Sequence, residues 1–481
     1  MRARGAVLLA VLASVVAATA PPGGTAAGAT KLGGDWTRFG YDAARSSSGP
    51  AQTGITASNL SRLRRQRVVL GGTADSSPIY LRGVLVGGAT RDVFVVTTSY
   101  GKTIAIDATT GSIVWRFTPS GYSKWVGTDQ ITNSSPVAGP SRKFVYSASP
   151  DGKLHKLSLA TGREASGWPV TISLRPSREK IGVSLNLSRG LVLAATGGYY
   201  GDTPPYQGHV AAVAAASGRI VNVWNSLCSD RRSLIQPSSC PESDSAIWAR
   251  SGVVVEPSSG NLLVATGNGK WDGEHDWGDS VLELSPNAGK LLQNWTPRNQ
   301  AELDSGDGDL GSTAPALLGS GLAVQGGKDG KLRLLDLTKL NGKGGAGPVT
   351  GGELQTFSTP SGDGLFSAPA VWRSGGRTWL FVSDFSATAA YVLNGRKLSE
   401  AWRVSSAGTS PVVAGGLLYV YDPGGHLDVY APTTGKQLAS LDAGHGHWSS
   451  PIVTDGRIAL PVGNANDHAT TGVLDIWRLA S

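Results

Sequence analysis

Several short polar stretches of this 481-residue chain hold residue types that do chemistry. Acids crowd Asp304-Ser305-Gly306-Asp307-Gly308-Asp309, a spacing that suits a solvated acidic loop or a small calcium loop. From Asn268 to Asp279 the chain packs Trp271, Asp272, Glu274, His275, Asp276 and Trp277 together. Such a mixture could line a channel mouth or grip a carbohydrate. His445-Gly446-His447 puts two imidazoles on one face of an extended segment, without an evident third metal ligand, and reads as a loop-to-strand junction. Gly267-Asn268-Gly269 and Lys328-Asp329-Gly330 are turn sequences in their own right. Cys228 and Cys240, the two cysteines of the chain, share one loop and read as a disulfide staple. No Gly-rich phosphate loop, nucleophile elbow, paired-Cys zinc spacing or Cys-x-x-Cys-His haem motif occurs.

The elements that position these stretches are repeated. One phrase, Ala105-x-Asp107-x-x-x-Gly111-x-x-x-Trp115, returns in degraded form near 152–170, 208–224, 279–295, 330–342, 390–402 and 425–438. A second phrase precedes most copies: Ser76-Ser77-Pro78, Ser134-Ser135-Pro136, Thr313-Ala314-Pro315, Ser367-Ala368-Pro369, Thr409-Ser410-Pro411 and Ser449-Ser450-Pro451. A fixed order of phrases repeated along a chain means stacked copies of one supersecondary unit. Within a unit, apolar runs of five or six residues alternate with Asp-Gly or Thr-Gly turns, the pattern of short hairpin-linked strands. Units start near 76, 133, 181, 246, 311, 366, 408 and 447. Four-stranded antiparallel sheets repeated radially make a β-propeller, which hides its sheet edges by closing into a ring. The expected fold is therefore all-β, an eight-bladed propeller whose last blade, 447–481, is closed by an N-terminal strand around Arg67-Val68-Val69-Leu70. The recurrent Trp115, Trp224, Trp295 and Trp402 read as packing between blades.

The N-terminus reads differently. Arg2 and Arg4 precede an apolar run from Ala6 to Ala18 and then small residues, which describes a secretory signal peptide over 1–29. The remainder, 30–481, is expected to be one propeller domain, exported by a bacterial cell, with no membrane span. The net charge of +8 is scattered. Its densest run, Arg62-Leu63-Arg64-Arg65-Gln66-Arg67, reads as a solvated strand, and no nucleic-acid partner is expected.

The repeated phrase resembles the tryptophan-docking motif of the eight-bladed quinoprotein propellers. That family includes the alcohol dehydrogenases that depend on pyrroloquinoline quinone (PQQ) and the propeller of the outer-membrane assembly factor. The opening Asp35-Trp36-Thr37-Arg38-Phe39-Gly40-Tyr41-Asp42 and Ile55-Thr56-Ala57-Ser58-Asn59-Leu60 are similar to the family's start. The resemblance covers roughly 33–480. In the dehydrogenases PQQ sits over the central channel beside a calcium ion, and an aspartate takes the substrate's hydroxyl proton. Ala265-Thr266-Gly267-Asn268-Gly269 resembles the segment carrying the calcium-ligand asparagine, which implies that role for Asn268. Asp309-Leu310-Gly311-Ser312-Thr313-Ala314-Pro315 resembles the segment that begins with the catalytic aspartate, implying that Asp309 is base and metal ligand. Gly326-Gly327-Lys328-Asp329-Gly330 implies that Lys328 bonds the quinone oxygens.

Other positions depart from the family. Thr203 falls at the calcium glutamate, with only Asp202 nearby to substitute. Arg250 falls at the tryptophan beneath the quinone, with Trp248 two residues away on the same face of an extended segment. The family's adjacent-cysteine ring is absent. What the resemblance implies is a ligand site at the central funnel. An enzyme built on it would oxidise an alcohol, polyol or sugar with PQQ, calcium and an external electron acceptor. The competing class is a non-catalytic scaffold that binds an extracellular protein or polysaccharide.

Overall fold

The computed structural model describes Met1 and residues 33–479. The chain divides into two units, Met1–Lys31 and Leu32–Ser481. The expected signal segment, 1–29, lies outside the described residues apart from Met1.

Eight four-stranded antiparallel sheets follow one another along the chain. Their strands span 79–117, 137–171, 186–225, 254–295, 316–358, 370–404, 412–442 and 452–479. In seven of them the four strands are consecutive in sequence. The eighth takes its outer strand from the N-terminus: Leu63–Leu70 pairs with Gly472–Leu479 in an unbroken antiparallel register. From the fifth blade to the eighth, the first strand of each blade touches the first strand of the next, which makes these strands the inner wall of the ring. The expected eight-bladed propeller and its closing strand are both present, the strand starting four residues before Arg67. Arg65 and Arg67, from the basic run, flank the buried Asp475 at 3.7 and 3.5 Å. The glycines of the Thr-Gly and Asp-Gly turns adopt positive φ, from 68° at Gly330 to 77° at Gly111.

Both repeated phrases join blades. Trp115 leaves the last strand of the first blade and donates its indole N–H to Leu159 O in the second, at 2.8 Å. Its ring lies on Gly162, where a Cβ would stand 2.7 Å from ring atoms. Trp402, at the end of the sixth blade, does the same on Gly435 and Pro432 O of the seventh. The glycine of one repeat is thus the seat for the tryptophan of the repeat before it. The Ser-Ser-Pro hydroxyls bond around the inner wall: Ser77 N donates to Ser135 Oγ at 2.8 Å, and the Ser77 and Ser450 hydroxyls are 2.8 Å apart.

A strap, residues 35–56, crosses one end of the ring. It exchanges backbone bonds between Trp36 and Tyr80 in the first blade and accepts from Ala138 N through Thr37 O in the second. Further along, Val255 N donates to Ala43 O, Val371 N to Ser46 O, and Val413 N to Ser47 O. Arg45 is buried beneath the ring, its guanidinium donating to Phe39 O, Ser184 O and Leu185 O. In the first, second, sixth and seventh units the strap meets the wall four or five residues beyond the start of the unit, roughly 16 Å along an extended chain. It therefore closes the end of the channel opposite the heads of the inner strands.

Candidate functional site

The segments that lead into the inner strands converge at the open end of the ring. Asn133, Gly182, Trp248, Phe366 and Trp448, from five different blades, line one cavity of about 600 Å³. All six residues singled out from the sequence line it as well: Asp202, Trp248, Arg250, Asn268, Asp309 and Lys328.

Asp309 is part of its wall. It is 3% exposed and sits where the loop after the short helix Gln300–Ser305 turns into the wall of the fifth blade. Its Oδ1 accepts the backbone N–H of Asn268 at 2.7 Å, and its Oδ2 is 2.5 Å from Lys328 Nζ. The seat requires glycine at 267, because a Cβ there would fall 1.9 Å from Asp309 Oδ1. Burial pushes the Asp309 carboxyl up to about 6, against the downward pull of Lys328. Burial alone would lower Lys328, but the charges and hydrogen bonds of Asp309 and Asp307 hold it above the ordinary lysine range. Lys328 Nζ also reaches Asp307 Oδ1 at 2.6 Å and lies 5.3 Å from the centre of the Trp248 ring.

Trp248 continues into an aromatic wall. Phe366 is 5.9 Å from it, and Trp448 stacks on Phe366 at 5.3 Å with the planes 29° apart. Such a wall accepts the face of a planar ligand. Arg250 does not stand free beneath it. Its guanidinium donates to Asp75 O and lies 3.5 Å from Asp75 Oδ1. Asp75 is fully buried and accepts from Asn133 Nδ2 at 3.0 Å, His447 Nδ1 at 2.7 Å and Trp448 N at 2.9 Å. Its own burial opposes ionisation, but Arg250, His447 and Trp448 N outweigh it and lower the carboxyl to about 2. Sequence reasoning missed Asp75. The signal was its position, immediately before Ser76-Ser77-Pro78, which places it at the head of the first inner strand as Asn133 and Trp448 stand at the heads of theirs.

Asp202 is held elsewhere on the cavity wall, accepting Tyr206 OH at 2.9 Å. Among the described residues no three His, Cys, Asp or Glu side chains gather as a metal site. His447 serves Asp75, so His445-Gly446-His447 is a junction between loop and strand. Of the loop 268–279, only Asn268 reaches the cavity. Trp277 is buried and donates to Ser229 Oγ at 3.0 Å, and Asp276 Oδ1 accepts Cys228 N at 3.1 Å. This loop therefore braces the Cys228–Cys240 loop, whose disulfide is formed.

One constellation away from the cavity imitates a hydrolase. Ser149 Oγ is 2.7 Å from His155 Nε2, and His155 Nδ1 is 2.6 Å from Glu164 Oε1. Ser149 is fully buried and also bonds Asp151, so its oxygen cannot meet a carbonyl. The relay ties strands of the second blade together.

The family model described as outer membrane protein assembly factor BamB matches residues 13–165 and 105–294, together more than half of the chain. No curated protein matches the chain. The quinohemoprotein alcohol dehydrogenase from Comamonas testosteroni superposes with a TM-score of 0.68 at 16% identity, over 92% of this chain and 80% of its own. A europium-containing methanol dehydrogenase superposes at 0.67 and 16% identity, over 93% of this chain and 98% of its own. BamB from Moraxella catarrhalis follows at 0.52 and 14%, over 86% and 100%. At such identities the superpositions speak for the fold, and the dehydrogenases match the eight blades over nearly their whole course. With its repeats, its ring and that family match, the chain belongs to the PQQ-like family of eight-bladed β-propellers.

Proposed function

We propose that this is an exported propeller whose central cavity binds a planar, anionic, quinone-type ligand, and that with this ligand it oxidises an alcohol, polyol or sugar. The observation that carries the reading is the meeting of an aromatic wall, cations and a buried carboxylate of raised pKa in one cavity. Buried carboxyls poised near neutrality are what general-base chemistry needs.

The residues present fit PQQ. Trp248, Phe366 and Trp448 offer flat apolar surface, and Lys328 offers a donor for ring oxygens, while Arg250 is held by Asp75. When bound, the quinone supplies a two-electron acceptor. The chain's own part is the proton. Asp309 Oδ2 accepts the hydrogen of the substrate hydroxyl, and Asn268 N holds Oδ1 so that the carboxylate keeps its orientation. Lys328 steadies the negative charge that forms on the substrate oxygen, and the aromatic wall keeps water from the reacting face.

A protein-built calcium cage fits less well. Calcium takes six or more oxygens, whereas Asp309 is already engaged by an ammonium at 2.5 Å and Asp202 by Tyr206 OH. A second reading, the non-catalytic scaffold for an extracellular protein or polysaccharide, is favoured by the same observation together with the assembly-factor description of the matching family model.

The two readings separate in one experiment. Purified protein is mixed with PQQ, with and without calcium, and dye-linked oxidation of alcohols and sugars is followed. Turnover that depends on PQQ supports the enzyme. Folded protein that neither binds PQQ nor turns over leaves the scaffold.

A further inference from the structure

Each cation on the cavity wall save one has a carboxylate partner. Arg250 has Asp75, and Lys328 has Asp307 and Asp309. Lys180 lines the same cavity, and among the described residues no carboxylate lies within ion-pairing distance of its ammonium. Its backbone is fixed: Lys180 N donates to Gly197 O at 2.7 Å, and Gly197 N returns a bond to Lys180 O at 3.1 Å. Its side chain lies over Gly182, where a Cβ would come within 3.0 Å of Lys180 Cε. Gly182 also lines the cavity, so the absence of a side chain there gives the lysine its path along the wall. The Tyr199 ring flanks the ammonium at 5.6 Å.

The surroundings leave this charge uncompensated. Burial, and then the neighbouring positive charge of Arg250, hold Lys180 down at about 8, while Asp75 and Asp202 oppose this from further away. A cation kept on a cavity wall without a partner costs free energy, and an anionic group of a ligand would recover it.

We infer that Lys180 is the anchor for a carboxylate of the cavity's ligand, on a stretch of wall distinct from the Asp309–Lys328 pair. The ligand class is thereby narrowed to planar ring systems that carry a carboxylate at their edge. This rests on the quinone reading above, and deepens it by naming a recognition residue that the sequence did not single out. Arg250 supports the subsite by position, since its own charge is spent on Asp75.

The test compares PQQ, whose rings bear carboxylates, with its trimethyl ester, which keeps the quinone and loses those charges. Binding is read from quenching of tryptophan fluorescence, Trp248 and Trp448 being in the cavity wall. The proteins are wild type, Lys180→Met and Lys180→Arg, each checked for an unchanged melting temperature. Expected is a loss of PQQ affinity of roughly 10- to 100-fold in Lys180→Met, the scale of one charge-assisted hydrogen bond. Most of it is restored in Lys180→Arg, and the ester binds wild type and Lys180→Met alike. Equal PQQ affinity in wild type and Lys180→Met overturns the role of Lys180 and leaves the quinone reading standing. Absence of PQQ binding to folded wild type overturns both.

Discussion

Arg250, from the fourth blade, meets Asp75, from the head of the first, across the open end of the ring, with Arg250 Nη2 3.5 Å from Asp75 Oδ1. The pair links distant blades beneath the cavity, and Asp75 draws Asn133, His447 and the Trp448 backbone into the same cluster. Removing one partner of a buried pair leaves the other uncompensated, which costs about 3–5 kcal/mol. Asp75→Asn should therefore lower stability by that order in urea unfolding, with Arg250→Met milder because Asp75 keeps Asn133 Nδ2, His447 Nδ1 and Trp448 N as donors. A change below about 1 kcal/mol in Asp75→Asn would show the cluster to be ornamental to folding.

The seat of Trp115 on Gly162 makes a sharper structural test. A Cβ at 162 would stand 2.7 Å from the ring, at a φ of +70° that L-residues avoid. Gly162→Ala should destabilise the protein by roughly 1–3 kcal/mol. The same change at Gly190, also at positive φ but with open space around its Cβ position, should cost less. Equal losses at both sites would mean that backbone strain, and not tryptophan docking, sets the effect.

Stability should also depend on pH through Glu179. This carboxyl is buried, accepts Ser173 Oγ at 3.1 Å and Gln207 N at 3.2 Å, and is raised by burial from 4.5 to about 8. Between these values the folded chain binds the extra proton. The contribution of neutral Glu179 is full below 4.5 and is lost as pH rises through 8, so stability falls with rising pH across that window. Melting temperatures of wild type and Glu179→Gln, taken from pH 5 to 8, should converge at the acid end and separate toward pH 8, the variant being the more stable there. Parallel curves would remove Glu179 as the cause.

At the cavity, Asp309→Asn keeps an oxygen for Asn268 N and loses the base. Turnover with PQQ should drop by about 10²–10⁴-fold, with PQQ affinity changed only severalfold. In wild type, kcat/KM should rise as pH passes through about 6, where burial has placed the carboxyl, because the base acts when deprotonated. Unchanged turnover in Asp309→Asn would take the role of base away from this residue.

The ring was legible in the chain because its signals are local. A glycine turn, an alternating strand and a docking tryptophan each occupy a few adjacent residues, and eight repetitions make them unmistakable. The closing strand was found through Val68-Val69-Leu70. Its first half, Leu63-Arg64-Arg65-Gln66, reads as a solvated strand, but the charge that an outer strand shows to solvent hides its continuity with Arg67-Val68-Val69-Leu70. Asn268, Asp309 and Lys328 were marked by motifs, and all three line the cavity. Asp75 and Lys180 were not, since what distinguishes them is company drawn from other blades: Arg250 lies 175 positions from Asp75. The strap around Arg45 was read as a family-like opening and not as a closure of the channel, because its partners are single backbone groups scattered around the ring.

The cavity between Trp248, Lys328 and Asp309 is proposed above as a ligand site for a planar anionic quinone. A crystal structure of the protein grown with saturating PQQ tests it most directly. The expected result is ring density against the Trp248–Phe366–Trp448 wall, with quinone oxygens toward Lys328 and a carboxylate toward Lys180. Well-ordered protein with that cavity filled by water alone, or with PQQ bound only elsewhere on the surface, contradicts it.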